Sequence, residues 1–145
     1  MSEHPESMQR VFPMIAYEDV ASAADWMAEA FGFRETGRWA DSDGRVTQLE
    51  MEIGGATIML GFPDPAYESP RHHAEDCELA RAWLRTPYIV DGVLVYVDNV
   101  EAHFDRAQAA GARVLSPLEE NPDIGQRSYR VEDAEGHRWM FAQPT

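Results

Sequence analysis

The chain has 145 residues, 44% of them hydrophobic, which suffices for one hydrophobic core or for two small modules that share one. Its 26 acidic and 12 basic side chains leave a formal charge of −14, and every basic one is an arginine, so the basic face that nucleic-acid binding requires is missing. The single cysteine, Cys77, excludes an intrachain disulfide, a CxxC redox pair and a cysteine-rich metal cluster.

No apolar run approaches the roughly 18 residues of a membrane span, and with a polar stretch from Met1 to Arg10 neither export nor anchoring is expected. A cytoplasmic protein is expected, with no nucleic-acid or membrane partner. Its acidity serves solubility and leaves room for a cationic or neutral ligand.

Strand and helix periods alternate in an order that occurs twice. Val11 to Tyr17 is apolar and short enough for a buried strand, and Asp19 offers a helix N-cap. Val20, Ala23, Ala24, Met27, Ala30 and Phe31 then recur at helical spacing until Gly32. Strands are predicted over Arg34 to Ala40 and Arg45 to Ile53, joined by the turn former Asp41-Ser42-Asp43-Gly44. The turn Gly54-Gly55 leads to a further strand, Ala56 to Phe62.

The second half opens with a strand, Gly92 to Val97. Asn99 caps a helix with Val100, Phe104, Ala107 and Ala110 on its apolar face, ending at Gly111. Strands follow at Ala112 to Leu118, Arg127 to Glu132 and, after the turn Asp133-Ala134-Glu135-Gly136, Arg138 to Gln143. Asp19 and Asn99, Gly32 and Gly111, and Gly55 and Gly136 all stand about 80 residues apart, which identifies a repeat. The expected architecture is α+β: a single domain over residues 1–145 built from two βαβββ modules, about 11–62 and 92–143. The linker 63–91 carries Pro63, Pro65, Pro70 and Pro87. Within it, His73 to Arg85 has one helical face with Cys77, Ala80 and Leu84, beside Trp83; a segment this long reads either as a lid over a cavity or as a strap between modules.

Three motifs carry a resemblance. They are Tyr17-Glu18-Asp19-Val20 leading to Ala30-Phe31-Gly32-Phe33, Val95-Tyr96-Val97-Asp98-Asn99-Val100 leading to Ala109-Ala110-Gly111-Ala112, and Glu132-Asp133-Ala134-Glu135-Gly136-His137-Arg138-Trp139. In this order and spacing the chain resembles the vicinal oxygen chelate superfamily, of the glyoxalase/bleomycin-resistance type, over roughly residues 11 to 143. The resemblance implies that each module curls its four strands into a half-open U and that the two modules form a cleft. In many relatives the cleft holds one divalent metal, bound by His or Glu on the first and fourth strands of each module, while related folds without metal sequester antibiotics. It also implies a homodimer.

Counted from the helix caps and turn glycines, the family's four ligand positions fall on Phe12, Gly92, Met59 and Met140. A ring, a bare backbone and two soft thioethers do not suit a hard or borderline divalent ion. A register error of one residue adds only Asp91. No metal and no cofactor are therefore expected. The five histidines, His4, His72, His73, His103 and His137, read as surface residues.

With the ligand positions facing inward, strand alternation places Phe12, Met14, Met59, Tyr96, Arg138 and Met140 in the cleft. Ile15, Ile58, Leu60, Val93, Val95, Trp139 and Phe141 would pack under the helices. A lining rich in Met and aromatic groups suits a flat organic ligand, or else fills a closed core. Trp39 is a candidate stacking wall for a cation. Gln48 and Glu50 share one strand face, and Arg127 and Tyr129 another, each potentially inward. Glu50 and Arg130 repeat the offset, so symmetry would bring unlike charges together or place both outside. The reading is a metal-independent protein that binds a small aromatic or cationic organic molecule, as in drug sequestration. The alternatives are a divalent-metal-dependent lyase, isomerase or dioxygenase using Glu50, His72 or His73, and a structural partner-binding module.

Overall fold

The computed structural model describes residues 9–85 and 92–145. Among them the first unit comprises β1 (Met14–Ala16), α1 (Val20–Phe31), β2 (Arg34–Ala40), β3 (Val46–Ile53) and β4 (Ala56–Gly61). The connection holds α2 (Pro70–Asp76) and α3 (Glu78–Leu84). The second unit comprises β5 (Gly92–Tyr96), α4 (Val100–Ala109), β6 (Arg113–Asn121), β7 (Gln126–Glu132) and β8 (Arg138–Pro144). The strands form two four-stranded sheets of equivalent order, β1-β4-β3-β2 and β5-β8-β7-β6. In each, the first strand runs parallel to the fourth, because a helix carries the chain across the sheet before three antiparallel strands bring it back.

Both long helices start and stop where their end residues dictate. The Asp19 carboxylate accepts from the Ser22 N–H at 3.0 Å, and Asn99 Oδ1 accepts from the Ala102 N–H at 3.0 Å. Gly32 ends α1 at φ +81°, a left-handed conformation that glycine adopts without steric cost. Between these limits Val20, Ala23, Ala24, Met27, Ala30 and Phe31 are all buried.

Two elements differ from expectation. The first strand is confined to Met14–Ala16, because Pro13 has no N–H for the ladder. The Gln9 side chain substitutes for it, accepting from the Thr57 N–H at 2.6 Å and donating to the Thr57 carbonyl at 2.8 Å. The linker helix divides in two at Cys77, whose extended backbone (φ −129°, ψ 112°) breaks the path while its Sγ accepts from the Ala80 N–H. His4, Pro87 and Asp91 lie outside the described residues.

The two units meet through their helices. α1 packs on α4, and Phe31 lies between the sheets' helix sides with its ring 4.8 Å from that of Phe141 and 5.9 Å from Trp139. The Arg106 guanidinium donates to the Ala28 and Glu29 carbonyls near the end of α1. The helices make this junction, and the backbones of β1 and β5 are not close neighbours. No described helix is long and apolar enough to cross a membrane.

Candidate functional site

Residues paired across neighbouring strands share a face, so the register assigns every side chain a side. In the first sheet Met14 pairs with Met59, Met59 with Glu50, and Gln48 with Trp39. These five residues share the face away from α1. The alternate set, Ile15, Leu49, Met51, Ile58 and Leu60, is buried against α1. Trp39 is half exposed and its indole lies along β2 over Gly37, where an added Cβ would sit 3.0 Å from the ring. A glycine at 37, the cross-strand partner of Glu50, thus leaves room for the indole along β2. The same face borders a hollow of about 300 Å³ with Met14, Gln48, Met59 and Phe62 in its walls. Arg45 stacks on the Phe62 ring, 4.5 Å from its centre. Phe12 precedes β1 and is 40% exposed.

The second sheet repeats this scheme with different chemistry. Leu94 pairs with Met140 and Tyr96 with Ala142, and Arg130 sits opposite Met140, the position Glu50 holds opposite Met59. Leu94 and Tyr96 are exposed, and the Tyr96 hydroxyl donates to Gln126 Oε1 at 3.4 Å. Arg138 is buried at the start of β8 and donates to the Leu84 carbonyl of α3, so it is covered by the connection.

Tyr129 is on the other side from that expected. It pairs with Phe141, is 1% exposed, and its ring packs against Phe104 and Phe141. Its hydroxyl lies 2.6 Å from His103 Nδ1. Burial raises the pKa of that phenol. The β7 residues that share the face of Met140 are Gln126, Ser128, Arg130 and Glu132. The 80-residue offset between Glu50 and Arg130 was the available signal.

Two histidines also leave the surface. His103 Nε2 lies 2.7 Å from the Phe31 carbonyl, which only accepts, so Nε2 carries the proton and Nδ1 accepts from Tyr129. Burial is the main cause lowering the His103 pKa. His137 is 6% exposed and its Nε2 contacts the Ala16 carbonyl at 2.6 Å. His72 and His73 are exposed on α2, as expected.

The Glu132–Trp139 motif proves to be a junction between the units. The buried Asp133 carboxylate accepts from the Tyr17 hydroxyl (2.5 Å), Trp139 Nε1 (3.0 Å) and the Glu135 and His137 N–H groups. Glu135 accepts from the Glu18 and Asp19 N–H groups at the start of α1. The connection is tied to the same place. Arg71 donates to Glu132 and to the carbonyls of Asp133 and Ala134, while Glu18 accepts from the Ser69 N–H at 2.9 Å and pairs with His72 at 3.0 Å. That pair raises the His72 pKa through the hydrogen bond to Glu18. Gly136 is required at this approach, since its φ is +94° and a Cβ would meet the Arg71 backbone nitrogen at 2.9 Å.

The four positions that the count from helix caps and turn glycines assigns to the family's ligands, Phe12, Met59, Gly92 and Met140, carry no nitrogen or oxygen side-chain donor. Met59 lies beside Met14, and Met140 beside Leu94. Among the described residues no three His, Cys, Asp or Glu side chains converge. This donor set does not fit a divalent ion of the hard or borderline kind, which takes nitrogen and oxygen at about 2 to 2.2 Å.

This architecture defines a class. The Glyoxalase/Bleomycin resistance protein/Dioxygenase superfamily model matches residues 9–141, and the chain belongs to that family. The chain is 32% identical over 136 residues to the uncharacterized protein Rv0887c of Mycobacterium tuberculosis, covering 91% of this chain and 72% of that protein. The crystal structure of TioX from Micromonospora sp. ML1 superposes with a TM-score of 0.69 at 30% identity, covering 94% of this chain and 97% of that one. The fosfomycin resistance protein FosX of Listeria monocytogenes shares the fold, with a TM-score of 0.63 at 14% identity over 95% of this chain and 94% of its own.

Proposed function

We propose that this member of the superfamily binds a small aromatic or cationic organic molecule without a metal ion, in the manner of a drug-sequestering protein in the cytoplasm. The observation that carries the reading is the face formed by Met14, Trp39, Gln48, Glu50 and Met59. There, an exposed indole, two thioethers and one carboxylate share the face of the sheet away from α1. Polarizable side chains accept flat ligands with little directional demand, and an indole beside a carboxylate favours a cation. Phe12 borders this surface.

Each sheet supplies half of a cleft. Met14, Leu94 and Tyr96 are exposed on edge strands whose backbones are not close neighbours, an arrangement a second copy would complete. In that homodimer, Tyr96, Met140 and Arg130 of one protomer face the Trp39 surface of the other, and Arg138 borders the far end. Tyr129 supports this wall from behind by packing on Phe141.

The test is a thermal-shift and calorimetric screen with basic aromatic antibiotics, with and without chelator, alongside metal analysis. Binding that ignores chelator and is lost in Trp39→Ala and Glu50→Gln is expected. A stoichiometric divalent ion whose removal abolishes binding overturns the reading. Sedimentation tests the dimer: Met14→Arg and Leu94→Arg should give monomers, and a wild-type monomer at all concentrations rejects the shared cleft.

A further inference from the structure

Two glycines stand within strands of the first sheet, and the chain's own contacts explain only one of them. Gly37 leaves room for the Trp39 indole. Gly61, the last residue of β4, is paired with Ala16 on β1 and with Gln48 on β3. Its φ lies outside the left-handed region, and an added Cβ would meet only the Thr47 carbonyl oxygen, at 4.0 Å. Neither the backbone nor internal packing requires a glycine there. Glycine weakens a strand, and its uses within one are a bulge, a tight bend or the close approach of a ligand or another backbone. The register of β4 runs without a shift on both sides, which leaves close approach.

Ala16, Gly61 and Gln48 form one row across the sheet, and Met14, Met59 and Glu50 form the next. The first two positions of the former row are almost bare. They floor the hollow of about 300 Å³, with Met14 and Met59 on one side and Phe62 and Pro63 on the other. That volume is at the lower end of small-molecule sites, the size of a fused bicyclic ring. The equivalent row of the second sheet, Tyr96, Ala142 and Ser128, has a phenol where the first has the methyl group of Ala16, so the slot belongs to the first sheet alone.

The charges around the slot select its ligand. Of the three carboxylates on β2 and β3, Glu52 is paired with Arg34 and Glu35 with Arg38. Glu50 has no hydrogen-bond or ion-pair partner among the described residues, and neither has the Gln48 side chain. Glu50 stands diagonally across from Gly61, a separation of about 7–8 Å in a sheet, which a two-carbon arm on a ring over Gly61 can span. On the other side of the hollow the Arg45 guanidinium stacks on Phe62, so a cation is favoured only at the Glu50 side.

We infer that the ligand of this surface is a fused bicyclic aromatic amine, its ring lying over Ala16 and Gly61 between the thioethers and Phe62 and its ammonium group on Glu50. This rests on the proposal that the face away from α1 binds small molecules, and it assigns that face one ring size, one charge and one seat.

Naphthylethylamine and naphthylethanol are the probes, alike in ring and arm and differing in charge. Calorimetry on the full chain should show the amine binding at least tenfold more tightly than the alcohol. Glu50→Gln should bring the amine to the affinity of the alcohol and leave the alcohol unchanged, a pattern that distortion of the sheet would not give. Gly61→Leu should weaken both at least tenfold while its unfolding midpoint and sedimentation stay those of the wild type. Nuclear Overhauser contacts from the naphthyl ring to the Ala16, Met14 and Met59 methyl groups in the wild-type protein locate the ring independently of any variant. Equal affinity for amine and alcohol, undiminished binding in Gly61→Leu, or ring contacts elsewhere overturns the inference. Loss of self-association in Gly61→Leu assigns the bare strip to a second copy and overturns it equally. If basic antibiotics bind to the Trp39 face and neither naphthyl probe does, this inference fails and the wider proposal stands; if no compound binds, both fail.

Discussion

The two sides of the same strands have opposite fates. On the helix side of the first sheet, Leu49, Met51 and Leu60 have no exposure, and Phe31 at the junction and Trp139 and Phe141 across it are likewise enclosed. On the other side Met14 is 77% exposed and Trp39 50%, and across the gap Tyr96 is 57% exposed. Alternation supplies large apolar groups to both sides, but a helix covers only one. Burial of such a group contributes about 1.5–3 kcal/mol, so the covered side holds the fold together. The uncovered side leaves that stabilisation to be gained from a ligand or a second copy. The polar groups divide in the same way. Asp133 and His103, at the junction, have their hydrogen bonds satisfied within the chain, whereas Glu50 and Gln48 stand on the open surface.

The sharpest way to break this contrast is at Phe31, where both units share one ring. Phe31→Ala removes contacts with Trp26, Trp139, Phe141 and His103 at once. It is expected to cost about 3–5 kcal/mol, measured by denaturant unfolding. A loss below about 1 kcal/mol would mean that the junction is not the common core.

His103 tests the polar part of the junction. His103→Ala leaves the Tyr129 hydroxyl and the Phe31 carbonyl without their partner and should cost about 1–3 kcal/mol. The histidine also makes stability depend on pH. Burial lowers its folded pKa below the ordinary value of 6.5, so the unfolded chain takes up a proton first as pH falls. Its contribution is complete above pH 6.5 and declines from there down to the folded pKa. His103→Gln, which can accept from Tyr129 and donate to Phe31, should remove that decline between pH 7.5 and 5.5. His72 acts with the opposite sign, because Glu18 raises its pKa: its contribution is complete below pH 6.5 and lost as pH rises through the folded value. Exposure to solvent makes that contribution the smaller of the two.

How far these features could be read from sequence depended on how strongly each segment alternates. Helix α1 was legible because a cap, an apolar stripe and a terminal glycine agree on its limits. The helix-side residues of β4 and β8 were legible because Ile58, Leu60, Trp139 and Phe141 leave no other choice. Residues 126–132 were not, since Arg127 and Tyr129 compete with Ser128 and Arg130 and neither set is plainly apolar; only Val131, in the Tyr129 set, points to the helix side. His103 was misread as a surface group although it stands four residues before the buried Ala107 on the covered face of α4. His137 owes its burial to a contact with Ala16, distant in sequence, that no local pattern reports. The division at Cys77 lies in a segment dense in charge, where helical period alone cannot mark a break.

The smallest expected effect on stability falls on the open side. Met14→Ala and Trp39→Ala remove side chains that the isolated chain leaves largely in water, so each should change unfolding stability by no more than about 0.5 kcal/mol. Their consequence should appear in ligand affinity for Trp39 and in both affinity and self-association for Met14. Measuring stability well below the dissociation range and again well above it separates these terms, because a group buried only between copies stabilises the folded state only as concentration rises. If Met14→Ala destabilised the protein equally at both concentrations, its side chain would belong to the fold within one chain, and the contrast between the two sides of β1 would fail.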